Sequence, residues 1–180
     1  MKRLFVALEI PAFILQGIEN IKTNLRGARW QTEENSHITL TFIGDVDEER
    51  VLRIEKALQS VHSPPFHLTL KGVSAFYAGD IPHVVWAGVE KEDKLVRLKD
   101  SVDTALQSVG ITFDKRKYHP HMTLAFLKDP DGEIFNAFLQ QQARVAFNAF
   151  AVPAFSLYQS VGEKGDPQYL KIATYKLRSL

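Results

Sequence analysis

Two hydrophobic periods alternate along the chain. Runs with apolar residues at every second position predict strands, and runs with them every three or four predict helices. Arg3 to Glu9, rich in apolar residues, reads as a buried strand. Pro11 suits the first turn of a helix, where Ile14, Ile18, Ile21 and Leu25 form one apolar stripe ending before Gly27. Arg29-Trp30-Gln31 is a short extended piece leading into an alternating strand that starts at His37 and closes at Gly44. Asp45 or Asp47 caps the next helix, striped by Val51, Ile54, Leu58 and Val61 and stopped by Pro64-Pro65. Phe66 to Lys71 alternates as a strand, and Tyr77 to Asp80 is a turn before the strand Val84 to Ala87. A third helix opens at the charged residues 91–93, carries Leu95, Leu98, Val102, Leu106 and Val109 on one side, and terminates at Gly110. Phe113 to Tyr118 runs into a second alternating strand from His121, and residues 129–132 form a loop. A fourth helix through Ile134, Phe135, Phe138 and Leu139 ends near Arg144. Two last strands, Ala151 to Ser160 and Gln168 to Leu177, flank a loop at 162–167.

Strands and amphipathic helices in this order predict an α+β fold, with helices covering one face of mainly antiparallel sheets. His37 and His121 lie 84 residues apart with similar elements around each. That spacing predicts two related lobes within one domain spanning residues 1–180, the uncovered sheet faces forming a cleft between them. At 180 residues and 45% hydrophobic, the chain has enough apolar material for a proper core. A net charge of +1 gives no large field to attract a polyanion, so only local patches can do so. The absence of cysteine excludes disulfides, thiol catalysis and thiolate-bound metals. The basic start runs into apolar Leu4 to Leu8, but Glu9 and Pro11 break that run, leaving it too short for a signal peptide or a spanning helix. The expectation is a soluble cytoplasmic protein.

The chemistry is carried by a repeated tetrapeptide, His37-Ile38-Thr39-Leu40 and His121-Met122-Thr123-Leu124. Strict alternation puts His37, Thr39 and Thr41 on one face and Ile38, Leu40 and Phe42 on the other. In the second copy His121, Thr123 and Ala125 oppose Met122, Leu124 and Phe126. Two such strands facing a groove supply two proton-transfer groups and two hydroxyl donors, a kit for acid–base chemistry on a phosphate. His67-Leu68-Thr69-Leu70 matches the pattern too, with His67, Thr69 and Lys71 on one face. Alternation alone leaves open which two of the three copies face each other. His119-Pro120-His121 also permits a zinc reading, since residues i and i+2 of a strand point the same way; Asp114 and Asp129 are the candidate third ligands. The basic run 115–117 sits close enough to His121 to offer a cation to a phosphate.

Paired strands of this kind resemble the 2H phosphoesterase superfamily, in particular its branch of RNA 2',3'-cyclic phosphodiesterases, also called 2'-5' RNA ligases. The resemblance covers nearly the whole chain. It runs from Arg3–Pro11 through Trp30 and Glu34–Gly44, Pro65-Phe66, Lys71-Gly72 and Val85–Val89. It continues through Arg116 and Tyr118–Leu124 to Phe155–Ser160, Gly165 and Tyr169. It implies two lobes related by a pseudo-twofold axis, with an active-site cleft between them. It also implies that His37 and His121, not His67, are the working pair. Protonated His37 is the expected proton donor and neutral His121 the expected acceptor, with Thr39, Thr123 and Arg116 binding substrate. Neither histidine needs an extreme pKa, since both forms coexist near neutrality. One departure stands out: the family often has an arginine where this chain has Phe126, so either phosphate anchoring passes to Arg116 or Lys128, or the substrate range differs. No metal or other cofactor is implied, and no phosphate-cradling glycine loop is present. The expected partners are RNA ends or small cyclic-phosphate nucleotides, with no membrane and no protein partner, the chain being a monomer. Trp30, Phe5 and Tyr158 are the candidate base-stacking residues, core packing being the stronger expectation for Phe5.

Overall fold

Strand β1 (Lys2–Glu9) carries five consecutive buried residues, so both its faces are covered. This computed structural model describes residues 1–113, 117–163 and 166–179. Asp114, Lys115, Arg116, Lys164 and Gly165, on which several of the expectations above fall, lie outside them. On either side of β1 run β3 (His37–Val46) and β9 (Ala154–Glu163), with β10 (Asp166–Lys176) beyond β9. Past β3 come β7 (His121–Leu127), β6 (Ile81–Val89) and β5 (Leu70–Ala78), and β2 (Ala28–Trp30) also pairs with β7. Every pair is antiparallel, as the α+β reading expects. Among the described residues the two halves, β10-β9-β1-β3 and β7-β6-β5, are joined by one pair alone, Ile38 with Met122. A second, two-stranded sheet is formed by β4 (Phe66–Leu68) and β8 (Phe150–Val152).

Of the helices α1 (Ala12–Glu19), α2 (Glu48–Leu58), α3 (Asp93–Ser108) and α4 (Gly132–Gln142), α2 and α3 pack together behind β3, and α4 rests on β5. The expected stripes are buried: Val51, Ile54 and Leu58 on α2, and Leu95, Leu98, Val102 and Leu106 on α3. Asp47, rather than Asp45, caps α2, accepting from the Arg50 N–H at 2.8 Å. Asp131 caps α4 in the same way. No helix among the described residues is long and apolar enough to cross a membrane.

Two elements depart from the periodic reading. Helix α1 ends at Glu19 instead of continuing to Leu25. Thr23 and Asn24 favour turn over helix, and Leu25 reaches the core through a turn closed by its own N–H on the Thr23 carbonyl. The strand expected at 66–71 breaks at Thr69, so β4 and β5 belong to different sheets.

The departure that shapes the cleft is a pair of bulges. Ala7 pairs with Thr39 and Val6 with Thr41, so Leu40 has no partner of its own on β1. Trp86 pairs with Thr123 and Val85 with Ala125, so Leu124 has none on β6. Each extra residue reverses the faces beyond it. Thr41 and Ala125, expected beside the histidines, are therefore buried on the far side. The Thr41 hydroxyl donates to Asp103 of α3 at 2.5 Å, and Asp103 is also paired with Lys99. Phe42 and Phe126, expected on the core face, come up on the cleft side instead.

Candidate active site

Ile38 and Met122, the one pair joining the half-sheets, are 0% and 1% exposed. Their side chains point into the core, so the residues on either side of each point the other way, into the cleft. Antiparallel register sets His37 across from Thr123 and Thr39 across from His121. A pseudo-twofold axis through this pair exchanges the two histidines and the two threonines. All four side chains line one cleft of about 680 Å³. His67 does not: it is exposed on the small sheet, opposite Ala151. The structure thus brings together two of the three matching motifs and leaves the third outside.

Each imidazole is held in the same way. His37 Nδ1 lies 2.9 Å from the Asn35 carbonyl, and His121 Nδ1 lies 2.7 Å from the His119 carbonyl. A carbonyl only accepts, so Nδ1 carries the proton in both rings, and the neutral form keeps its lone pair on Nε2. Asn35 is itself tied to β10, at the edge of its own half-sheet, its amide donating to the Pro167 carbonyl at 2.9 Å. Thr39 is braced through its backbone, where its carbonyl accepts from the Tyr118 hydroxyl at 3.0 Å.

Aromatic rings wall both histidines. The His37 ring lies 4.9 Å from Phe5 and 5.0 Å, edge to face, from Tyr169. The His121 ring lies 4.9 Å from Phe76 and 6.1 Å from Trp86. Gly88, opposite His121, makes the second wall possible, because a Cβ there would stand 2.8 Å from the Lys71 carbonyl of the adjoining strand. Burial pushes the His37 imidazolium down to about 4; the Asn35 carbonyl opposes this and His121 adds to it. Burial lowers His121 as well, against the pull of the His119 carbonyl. In the free protein both rings are therefore neutral near pH 7. This differs from the expectation of one charged and one neutral ring, because the aromatic walls remove the water that would solvate an imidazolium.

Several expected residues lie elsewhere. Arg116 is outside the described residues. Lys128 lies past the cleft, where its N–H closes on the Gly27 carbonyl. Trp30 faces away from the site; its indole donates to the Thr23 carbonyl and its ring packs edge-on against Phe138 of α4. Phe5 does line the cleft, with Tyr158 stacked behind it at 5.3 Å. Among the described residues no three His, Asp or Glu side chains converge as metal ligands do. The residues missed were Phe42, Phe76, Phe126, Tyr169, Arg3 and Gln31, all lining the cleft. For Gln31 a signal existed: it shares a strand face with Arg29, opposite Trp30.

The profile described as LigT like Phosphoesterase matches residues 8–86 and 88–169, with His37 in the first stretch and His121 in the second. An RNA 2',3'-cyclic phosphodiesterase of Archaeoglobus fulgidus is 33% identical over 177 residues, 97% of this chain and 99% of its own. Another of that name, from Aeropyrum pernix, is 34% identical over 82% of this chain and 85% of its own. Among solved structures, TT0787 of Thermus thermophilus superposes with a TM-score of 0.83 at 23% identity, and E. coli LigT complexed with 3'-AMP with 0.77 at 24%, each covering 98% of both chains. Matched along almost all of its length and on both of its histidine strands, the chain belongs to the LigT-like phosphoesterases.

Proposed function

We propose that the protein hydrolyses RNA 2',3'-cyclic phosphodiester ends to 2'-phosphomonoesters by general acid–base catalysis between His37 and His121. One observation carries this reading: two imidazoles, each fixed by its Nδ1–H on a carbonyl two residues back, stand in one cleft with a threonine beside each. Residues 1–180 act as one domain whose two lobes each lend one such strand.

In the reaction a water oxygen attacks phosphorus and gives its proton to His121 Nε2. The bond from phosphorus to the 3' oxygen breaks, and that oxygen takes the proton of His37. The product carries a 2'-phosphate and a free 3'-hydroxyl, and proton exchange through solvent resets the two rings. Thr39 and Thr123 donate to the non-bridging oxygens, where charge builds in the transition state. His37 must be protonated to act as the acid, although burial holds it neutral in the free protein. The anionic phosphate supplies the missing stabilisation: an opposite charge within hydrogen-bond reach raises an imidazole pKa, so binding substrate charges the acid. The two half-reactions are proton transfers, each worth ~10²–10⁴-fold. With a 5'-hydroxyl in place of water the same forward steps form a 2'-5' linkage without ATP: the 5' oxygen gives its proton to His121 and bonds to phosphorus as the 3' oxygen leaves with the proton of His37.

A second reading, a phosphodiesterase for a small cyclic nucleotide, is favoured by the cleft volume of about 680 Å³, the size of a single small-ligand site. Comparing kcat/KM for 2',3'-cyclic AMP and for a cyclic-ended oligonucleotide decides between them. Preference for the oligonucleotide supports the RNA reading, and exclusive use of the mononucleotide overturns it.

A further inference from the structure

Phe126 stands where the resemblance leads one to expect an arginine, yet the cleft does not lack a guanidinium at this point. Arg29 of β2 is directly opposite Phe126 of β7, so the two side chains share a face. The Arg29 guanidinium carbon lies 5.0 Å from the centre of the Phe126 ring. Stacking on a ring holds the planar group in place and leaves its N–H edges open for an anion. Arg29 and Arg3 both act on the Tyr169 hydroxyl in the cleft wall, so two cations border this end of the site.

Gln31 marks the same place independently. It is two residues from Arg29, on the same face of the extended segment, and its backbone N–H is fixed on the Leu124 carbonyl at 2.8 Å. The side chain is 4% exposed and lines the cleft, yet its Oε1 is buried without a hydrogen-bond partner among the described residues. A buried acceptor with no partner is costly and rare. The Tyr169 hydroxyl meets the Gln31 side chain from the cleft wall, and a ligand that brings a donor would satisfy Oε1.

We propose that Arg29 and Gln31 form a subsite for the nucleotide preceding the cyclic end. Arg29 takes the phosphodiester that joins the last two nucleotides, and Gln31 accepts from the 2'-hydroxyl of the preceding ribose. This rests on the function proposed above, because the reacting phosphate is placed by the histidines and threonines. Phe126 is three residues beyond Thr123, roughly 10 Å along the strand. A guanidinium above it therefore sits along the cleft from the threonine that holds the reacting phosphate. In this proposal the chain leaving the reacting end runs in that direction, so the group beside Arg29 is the neighbouring nucleotide. The subsite makes the enzyme select RNA ends over cyclic mononucleotides.

The test compares kcat/KM for three substrates: 2',3'-cyclic AMP, the dinucleotide ApA with a 2',3'-cyclic end, and the same dinucleotide with a 2'-deoxy first nucleotide. The protein should prefer the dinucleotide to cyclic AMP by roughly 10- to 100-fold, the range of a hydrogen bond to a charged group. Arg29→Gln should bring that ratio close to one, Arg29→Lys should restore part of it, and Arg53→Gln, on exposed α2, should keep it. Gln31→Leu should erase the difference between the ribo and deoxy dinucleotides. Each variant's own turnover of cyclic AMP is the reference, so a general loss of fold does not alter the ratio. Equal efficiency on cyclic AMP and the dinucleotide, or a preference that survives Arg29→Gln, overturns the subsite and leaves the reaction standing. Turnover of none of the three overturns the reaction, and the subsite with it.

Discussion

Lowering the pH from 7 to 5 should destabilise this protein through His37. The group is held near 4 in the folded chain by burial, against an ordinary value of 6.5. The unfolded chain therefore binds a proton in a window where the folded chain does not. His37 is neutral in both states above 6.5, so its contribution to stability is complete there. It is lost as the pH falls through 6.5 towards 4, and levels off below. One pKa unit corresponds to ~1.4 kcal/mol, so the full loss is ~3 kcal/mol, of which ~2 kcal/mol falls between pH 7 and pH 5. His121 is lowered too and adds to the loss with the same sign. The carboxylates titrate in the lower part of the same range, so a single melt does not isolate the histidine. Urea denaturation of the wild type and of His37→Asn at both pH values does. The wild type should lose ~2 kcal/mol more than the variant on acidification, or some 4–8 °C in Tm for a chain of this size. Parallel losses in the two proteins would refute the reasoning, for the imidazole would then be as well solvated in the cleft as in the unfolded chain.

Other outcomes follow from the same geometry. The optimum of kcat/KM should lie below pH 6.5, because both imidazoles of the free enzyme are displaced downward. The optimum of kcat should lie higher, because bound phosphate raises the acid; pH–rate profiles of the two parameters check this. Thr39→Val and Thr41→Val should part company: the first should lower kcat by roughly 10²-fold, the second should cost ~1–2 kcal/mol in a denaturation curve by leaving Asp103 short of a donor. Strict alternation would give both threonines the same kinetic effect. Gly27 has φ +73°, and a Cβ there would stand 1.8 Å from the Lys128 carbonyl. Gly27→Ala should therefore displace β2, lowering stability by ~1–3 kcal/mol and raising KM for a cyclic-ended dinucleotide more than for cyclic AMP.

The strands, the helices and the repeated motif are legible in the sequence because each is a local pattern. Val51, Ile54 and Leu58, or Leu95, Leu98, Val102 and Leu106, are buried as their spacing dictates. Burial of Ile38 and Met122 likewise follows from alternation, and with it the aim of the histidines and threonines. What alternation does not carry is an inserted residue. The bulges at Leu40 and Leu124 are fixed by pairing with β1 and β6, and by the partner Thr41 finds in Asp103, 62 residues away. Phe42 and Phe126 therefore come up where Thr41 and Ala125 were expected. Trp30 was misread for a different reason: an indole at a strand end serves equally for stacking a base or for packing on a helix, and Phe138 of α4 decides it. The lowered His37 pKa depends on Phe5 and Tyr169, which come from strands at opposite ends of the chain. No single stretch of sequence contains that wall. Arg116, outside the described residues, keeps its place only as an expectation from resemblance.

The central claim is that His37 and His121, and not His67, carry the reaction. The most direct measurement incubates the protein in EDTA with an RNA oligonucleotide ending in a 2',3'-cyclic phosphate and separates 2'- from 3'-phosphate products. The wild type should yield the 2'-phosphate. His37→Ala and His121→Ala should each cut the rate by ~10²–10⁴-fold, and His67→Ala should leave it intact. A 3'-phosphate product, activity lost to EDTA, or a loss confined to His67→Ala would contradict the account.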